Sequence, residues 1–311
     1  MSPIIDAHSH YMPPEIAAHT AFFKVGWSDI KRHLASMDQR GIEKALLLYP
    51  TSDAHLHLGG WTKMCRLYNE KIVQVVQEYP DRFMGAGILP PDHPEALREE
   101  LKRIEDYDFR LLSLASSYDG KYLDDPYFEP VFAWSSARHI PIHVHPQILN
   151  PIGCERLKDP LLSPVLEYVF DVSVTIGRIL MNGTLQKFPE QIFIFAHYGG
   201  VLPIVKERFD NTYQMLRKRQ LVKDLVKNPS EYFQHLYFDT SGSRSKASLE
   251  CALEVVDASH ILFGSDYPAN QNLEDSIAVV TEALGATSRA KDILFFNIAR
   301  ILKANEIEAS T

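Results

Sequence analysis

The sequence PIIDAHSH at residues 3–10 is a short apolar run that ends in two histidines. Branched apolar side chains favour a buried strand, so we expect a strand over Pro3–Ala7. Residues two apart at a strand end face the same side, which would bring His8 and His10 to one point. This opening predicts a strand that delivers two imidazoles to its carboxyl end.

Seven further apolar runs of similar length follow along the chain. They are Lys44–Tyr49, Phe83–Leu89, Phe109–Ala115, Ile140–His145, Ile192–His197, Leu236–Thr240 and Ile261–Ser265. Amphipathic helical patterns separate them: a helix capped by Ser28, then Trp61–Glu78, Pro94–Glu105, Tyr127–Arg138, Pro164–Lys187, Leu202–Arg219, Lys246–Asp257, Leu273–Leu284 and Ser288–Leu302. Eight strand–helix units predict an α/β chain folded as one (β/α)8 TIM-barrel domain over residues 1–311.

The composition excludes several classes of function. Lys and Arg number 32 against 40 Asp and Glu, a net charge of −8, which argues against a nucleic-acid-binding surface. No apolar run approaches the ~18 residues of a membrane span, and the first residues turn polar too early for a signal peptide. The three cysteines are far apart and suggest no disulfide framework, so we expect a cytoplasmic protein with no membrane partner.

Other predicted strands also end in residues that bind metals. His145 ends the fifth strand, His197 ends the sixth before Gly199-Gly200, and Asp266 follows the eighth. A barrel builds its site at the carboxyl ends of its strands, and mixed imidazole and carboxylate ligands suit zinc, manganese or iron. The pattern therefore predicts a metal site with a small-molecule substrate.

Several neighbouring residues have two interpretations. His143 would lie deeper than His145 and support the site or the core, and Asp239 could orient His197 or serve only a structural role. His55 and His57 repeat the two-residue spacing in a polar loop and fit a pocket rim better than a ligand set. Cys154 has no evident base and fits a packing role.

The runs IDAHSH (5–10), HP (145–146), AHYGG (196–200) and FGSDYP (263–268) resemble the amidohydrolase superfamily. Within it they are most similar to the branch of 2-amino-3-carboxymuconate-6-semialdehyde decarboxylase and the o-hydroxybenzoate decarboxylases. The resemblance extends from residue 4 to about residue 302. It implies one divalent ion, Zn²⁺ first and Mn²⁺ second, held by His8, His10, His145 and Asp266.

The same resemblance assigns roles to residues beyond the ligands. His197 would be the catalytic histidine, and Arg208 would bind a substrate carboxylate, in some members across a homodimer interface; a solvated helix charge is the other interpretation of Arg208. The fourth strand carries no lysine to bridge two metals, which favours a single ion. A further substrate arginine found in some members has no clear counterpart, since Arg32 and Arg40 fit a helix surface.

Two reactions suit such a site. In non-oxidative decarboxylation of an aromatic or dienoic acid, Asp266, or metal-bound water relayed by His197, would supply a proton to carbon. In hydrolysis of a lactone, amide or imine, His197 or Asp266 would act as base on a metal-activated water. The resemblance favours the decarboxylase, and the aromatic residues Tyr11, Phe22, Phe23, Trp27, Trp61 and Tyr198 suit a planar substrate. A purely structural metal site is the third hypothesis, which His197 and its glycine turn argue against.

Overall fold

The computed structural model describes residues 3–308 apart from residues 24, 108, 158 and 160. Eight strands form one parallel sheet in chain order. They are β1 (Ile4–His10), β2 (Ile42–Leu48), β3 (Phe83–Gly87), β4 (Leu111–Ala115), β5 (Ile142–His145), β6 (Phe193–Phe195), β7 (Leu236–Asp239) and β8 (Ile261–Leu262). The ends of the sheet meet where the Ala7 amide donates to Phe263 O (2.8 Å) and the His10 amide to Tyr267 O (2.7 Å). The predicted (β/α)8 barrel is confirmed.

Helices separate consecutive strands and cover the barrel. The α-helices are α1 (Pro14–Ala17), α2 (Ile30–Arg40), α3 (Ala54–His57), α4 (Trp61–Glu78), α5 (Pro94–Asp106), α6 (Glu129–Ser136), α7 (Cys154–Leu157), α8 (Tyr168–Met181), α9 (Thr184–Lys187), α10 (Leu202–Lys218), α11 (Lys246–Leu253), α12 (Leu273–Leu284), α13 (Ser288–Lys291) and α14 (Asn297–Glu308). Tighter 3₁₀ turns occupy Val25–Trp27, Pro126–Phe128, His197–Gly199, Pro229–His235 and Ala258–His260, and wider π turns occupy Ser163–Glu167 and Asp292–Phe296. None of the described helices has both the length and the apolar character that crossing a bilayer requires.

At two of the helix boundaries that differ from the prediction, polar side chains bind the backbone locally. Asp29, not Ser28, caps α2 by accepting from the Arg32 amide at 2.9 Å, while the Ser28 hydroxyl donates to Met12 O. The helix predicted to reach Asp257 ends at Leu253, because the Asp257 carboxylate accepts from the Ser259 amide and starts a separate turn.

Two apolar clusters hold these layers together. One lies between the strands and the surrounding helices. The other draws Ile5, Ala7, Leu46, Leu48, Ala86, Leu111, Ile194 and Leu262 from six different strands and contacts Ile298 and Ile301 of α14. A cluster supplied from so many strands fills the barrel interior, which therefore gives the site a rigid base.

The strand ends differ from prediction at the places where the site is built. β1 continues past Ala7 to His10, because Ser9 and His10 still pair with Leu47 and Leu48 of β2. β8 stops at Leu262, and the segment after it bonds to β1: the Asp266 amide donates to His8 O at 2.8 Å. The first and last strands thereby bring His8, His10 and Asp266 together.

Candidate metal centre

The predicted ligand atoms converge at the carboxyl end of the barrel. Nε2 of His8 lies 3.0 Å from Nε2 of His10, and Oδ1 of Asp266 lies 3.1 Å from the His10 atom and 3.5 Å from the His8 atom. His145, at the end of β5, completes a group of four ligand atoms that all lie within 4.8 Å of one another. All three histidines are buried.

Hydrogen bonds on the far side of each ring favour Nε2 as the lone-pair atom. His8 Nδ1 lies 2.7 Å from Asp239 Oδ2, His10 Nδ1 lies 3.2 Å from Leu48 O, and His145 Nδ1 lies 3.0 Å from Pro146 O. Carboxylate and carbonyl oxygens accept, so each Nδ1 carries the proton. Three lone pairs and a carboxylate oxygen then face one another, an arrangement that a divalent cation stabilises, and this donor set fits such an ion.

The electrostatics agree with a cation at this point. Burial alone would lower the pKa of His8, but the charges of Asp239 and Asp266 outweigh it and raise that pKa. Burial lowers the pKa of His10 and that of His145, to which the neighbouring imidazoles add. Burial would raise the pKa of Asp266, yet its hydrogen bond with His10 and the charge of His8 hold that pKa below its usual value. His10, His145 and Asp266 thus favour the unprotonated forms that bind metals, while the carboxylates around His8 favour a positive charge at this point.

Asp239, at the end of β7, connects most of the site and is fully buried. Its Oδ2 accepts from His8 Nδ1 and from His143 Nε2 at 2.9 Å, and its Oδ1 accepts from the amides of His197 and Ser241, each at 3.0 Å. Burial would raise its pKa, but His8 and His143 hold it well below the usual range. Asp239 therefore supports the His8 ring and positions His197 through the His197 backbone amide. It both orients His197 and forms structural hydrogen bonds, the two roles considered for it from the sequence.

His197 lies beside the four-atom group and is held by a short chain of hydrogen bonds. Its Nδ1 is 2.8 Å from Ser241 Oγ, and the Ser241 hydroxyl in turn donates to Asp239 Oδ1. That direction of donation leaves Nε2 of His197 as the unprotonated atom. Burial lowers the pKa of His197, so its ring is neutral near pH 7. The role of Ser241 was not predicted from the sequence, because a serine two residues after a strand end is too common to indicate a site.

The backbone around His197 is strained and closely packed. His197, Tyr198 and Asp266 have left-handed φ angles of 58°, 56° and 60°, which cost a non-glycine residue about 1–2 kcal/mol each. A Cβ on Gly242 would lie 2.4 Å from His197 Cβ, so only glycine allows this approach. Such strain at two strand ends accompanies a functional site more often than a structural one.

A cavity of about 320 Å³ opens above the metal centre. Its polar part includes His10, His145, His197 and Asp266. Its walls include Phe22, Phe23, Trp27, Pro50, Ile148, Pro164, Tyr168 and Val169. Trp27 lies next to His10, with ring centroids 5.6 Å apart. The segment after β1 and the chain from β5 to the first turn of α8 supply most of the apolar wall, which suits a planar apolar ligand.

Other residues singled out from the sequence lie elsewhere. Tyr11, Trp61 and Tyr198 are absent from the described lining of the cavity. His143 supports Asp239 and is not in the four-atom group, while His55 stacks on Trp61 with ring centroids 3.9 Å apart. Arg208 is exposed on α10, where it lines a different groove, of about 540 Å³, between α8 and α10. Its assignment to the substrate stays a prediction.

The chain is similar to known proteins in both sequence and fold. A sequence profile described as amidohydrolase matches residues 5–285. The chain is 27% identical over 217 residues to a 2-amino-3-carboxymuconate-6-semialdehyde decarboxylase of Dictyostelium discoideum, a match that covers 68% of this chain and 59% of that relative, less than two thirds of it. It is 27% identical over 285 residues to a γ-resorcylate decarboxylase of Rhizobium sp., covering 83% of this chain and 86% of the relative.

Solved structures share the fold. A 5-carboxyvanillate decarboxylase from Sphingomonas paucimobilis superposes with a TM-score of 0.88 at 22% identity, over 97% of this chain and 99% of that one. A dihydroxybenzoic acid decarboxylase from Polaromonas sp., solved with manganese and the inhibitor 2-nitroresorcinol, superposes with a TM-score of 0.79 at 23% identity, over 98% of each chain.

Proposed function

Because this chain belongs to the amidohydrolase family, we propose that it is a metal-dependent carboxy-lyase that releases CO2 from an aromatic or dienoic carboxylic acid. The observation that carries the proposal is the convergence of three imidazole Nε2 atoms and one carboxylate oxygen beneath an aromatic-walled cavity. Relatives named as decarboxylases of hydroxybenzoates and of an aminocarboxymuconate semialdehyde support it.

We assign the cofactor to one divalent ion held by His8, His10, His145 and Asp266, with Zn²⁺ ahead of Mn²⁺. When bound, this ion supplies a Lewis acid that orients the substrate carboxylate and an adjacent oxygen. Three imidazoles and one carboxylate are ligands typical of zinc, while manganese occurs in a structural neighbour. Metal analysis of protein purified without added metal decides between them.

The protein's own groups would move the proton. Oδ2 of Asp266 makes no hydrogen bond within the described residues, and this side chain lines the cavity, as does His197. We assign proton delivery to Asp266: its carboxylate would take up a proton from solvent, relayed through His197 Nε2, and pass it to the carboxylate-bearing carbon. The new C–H bond forms at that carbon, the C–C bond then breaks, its electron pair returns to the conjugated system, and CO2 leaves.

Substrate anchoring supports a homodimer. No lysine or arginine is among the described residues that line the metal cavity, although a carboxylic acid substrate favours a cation. Large apolar side chains are exposed on α10, on α8 and on the turn before α8: Ile204 (79%), Val165 (63%) and Phe170 (40%). We propose that this face pairs with a second copy and that Arg208, beside it, serves the partner's cavity.

Ile204→Glu tests the dimer. A charge on this apolar face is expected to convert a dimeric protein into a monomer, measured by light scattering after size-exclusion chromatography, and to reduce CO2 release if Arg208 acts across the interface. Leu56→Glu, at a side chain in α3 that is 70% exposed, is the matched control and should remain dimeric. A monomeric wild-type protein contradicts the proposal.

The function itself is tested with a substrate panel. We expect protein loaded with zinc or manganese to release CO2 from at least one o-hydroxybenzoate, carboxyvanillate-type acid or aminocarboxymuconate semialdehyde. No release from any of these, with one metal bound per chain, would contradict the decarboxylase. Hydrolysis of lactones or amides by the same preparation would then identify the alternative reaction.

The composition and the cysteines bear on the cellular compartment and on the partners of the protein. We propose a cytoplasmic protein made of one domain, whose partners are small molecules and a second copy of itself, with neither nucleic acid nor membrane among them. The three cysteines are all free, which suits a reducing compartment. The acidic net charge of −8 argues against a polyanion as partner.

A further inference from the structure

A second depression joins the metal cavity on its polar side. It has a volume of about 600 Å³ and shares Ser241, Gly242 and Ala269 with the metal cavity. Its other lining residues are Ser243, Arg244, Asn270, Gln271 and Asn272. We call this depression the polar trough. It lies between the segment that follows β7 and the one that carries Asp266, so a ligand at the metal centre can extend into it.

The polar trough contains a positive charge without a matching negative one. Its described lining residues include Arg244 but no aspartate or glutamate. Within the described residues Arg244 forms no ion pair. Its side chain makes one long hydrogen bond there, 3.5 Å from Nη1 to Asn270 Oδ1. By contrast, Arg40, Arg82 and Arg178 each lie within 3 Å of a carboxylate oxygen. In a protein with net charge −8, an acid-free pocket with an unpaired guanidinium favours an anion.

The floor of the polar trough is held in place by the loop of the metal centre. Asn270 Nδ2 donates to Ser265 O at 3.1 Å and to Ser276 Oγ at 2.8 Å, and the Asn270 amide donates to Asp266 O at 2.9 Å. Gln271 accepts from Arg32 at 3.0 Å. The polar trough and the metal ligand Asp266 therefore share one hydrogen-bonded segment, which keeps a fixed relation between the two binding regions.

The two sides of the combined cleft differ in chemistry. Phe23, Trp27 and Tyr168 form part of an apolar wall on the metal cavity, while hydroxyls, amides and one guanidinium line the polar trough. A planar acid whose reacting carboxylate lies at the metal centre would place its ring against the apolar wall. A substituent that reaches past Ser241 and Gly242 would then meet Arg244.

We propose that Arg244 binds a second carboxylate on the substrate, so that the preferred substrate is a dicarboxylic acid. This inference rests on the proposed function, since it takes the reacting carboxylate to lie at the metal centre. A guanidinium pairs with a carboxylate through two parallel hydrogen bonds, which makes it selective for that group over a neutral amide. Arg244 is thus a specificity-determining residue that takes no part in the proton transfer.

Three ligands distinguish the effect of a second negative charge on binding from the effect of a substituent of similar shape. They are 2-hydroxybenzoate, the same acid with a second carboxylate at ring position 5, and the same acid with a carboxamide there. Binding to metal-loaded protein is measured by calorimetry. We expect the dicarboxylate to bind about tenfold more tightly than the carboxamide, the effect of one charge-assisted pair at an exposed site. The preference should shrink at high salt, because Arg244 is exposed.

Variants assign the preference to one residue. Arg244→Ala should reduce the dicarboxylate-to-carboxamide ratio to about one, and Arg244→Lys should retain part of it. Lys246→Ala removes the same charge two residues away, where Lys246 pairs with Glu250 at 3.3 Å outside the polar trough, and should keep the full ratio. An unchanged ratio in Arg244→Ala, or failure of wild-type protein to prefer the dicarboxylate, overturns the inference.

The readout does not depend on turnover, so the two proposals fail separately. A preference for the dicarboxylate that needs Arg244, without CO2 release from any acid, would reject the decarboxylase and support the anion site. CO2 release from monocarboxylates with no preference for the dicarboxylate would support the decarboxylase and reject the role of Arg244.

Discussion

Replacing His197 by asparagine is expected to lower kcat for CO2 release about a thousandfold while one metal ion per chain stays bound. Loss of a positioned proton-transfer group typically costs 10²–10⁴ in rate, and His197 lies outside the four-atom ligand group. Asparagine is the substitution of choice because residue 197 has φ 58°, a left-handed conformation that asparagine tolerates. The measurement pairs steady-state kinetics with metal analysis.

The control for this variant is His55→Asn. His55 stacks on Trp61 and its Nδ1 lies 3.0 Å from Ser52 O, away from the described lining of the metal cavity. It should keep most of the wild-type rate. If kcat of His197→Asn stays within tenfold of the wild-type value, His197 does not transfer the proton. If the variant no longer binds metal, His197 is itself a metal ligand.

The second large effect is expected at Asp239. In Asp239→Asn one carboxylate oxygen becomes an NH2 group that faces a donor, either the His8 Nδ1 proton or the amides of His197 and Ser241. His8 would regain a partner only by moving its proton to Nε2, the atom that faces the other ligands. We expect metal affinity to fall about 10–100-fold, the usual effect of losing a carboxylate behind a ligand histidine. Metal titration with a competing chelator measures it.

Asp171→Asn separates this effect from general destabilisation. Asp171 is also fully buried, and its carboxylate accepts from the hydroxyls of Ser116, Ser117 and Tyr122, without contacting a predicted ligand. Both variants should lower the melting temperature, because each leaves buried donors unpaired. Only Asp239→Asn should lose metal. Equal metal affinity in the two variants would show that Asp239 does not support the ligand set.

Much of the architecture follows from sequence patterns with a simple physical origin. Buried parallel strands require short runs of branched apolar residues, and the amphipathic segments between them must cover the sheet, so the order of eight units predicted the barrel. Helices α4 and α12 have their predicted bounds, because their apolar periodicity has clear limits. The pattern at Pro164–Lys187 instead divides at Ser163–Glu167 and again at Gly183, whose left-handed φ of 78° precedes α9.

The sequence by itself predicted which side chains lie together at the candidate metal centre, and the resemblance to the amidohydrolases separated the four proposed ligands from His197. His8, His10, His145 and Asp266 each follow or end an apolar strand, and parallel strands place their carboxyl ends at one rim, so local patterns were enough to bring them together. Only the tertiary structure decided which ring nitrogen faces inward, that Asp239 connects His8 to His197, and that Arg208 lies away from the cavity of its own chain. A proton position or a pocket wall depends on contacts between residues that are distant in sequence, such as His8 and Asp239, which are 231 positions apart. A local sequence pattern contains no information about such contacts.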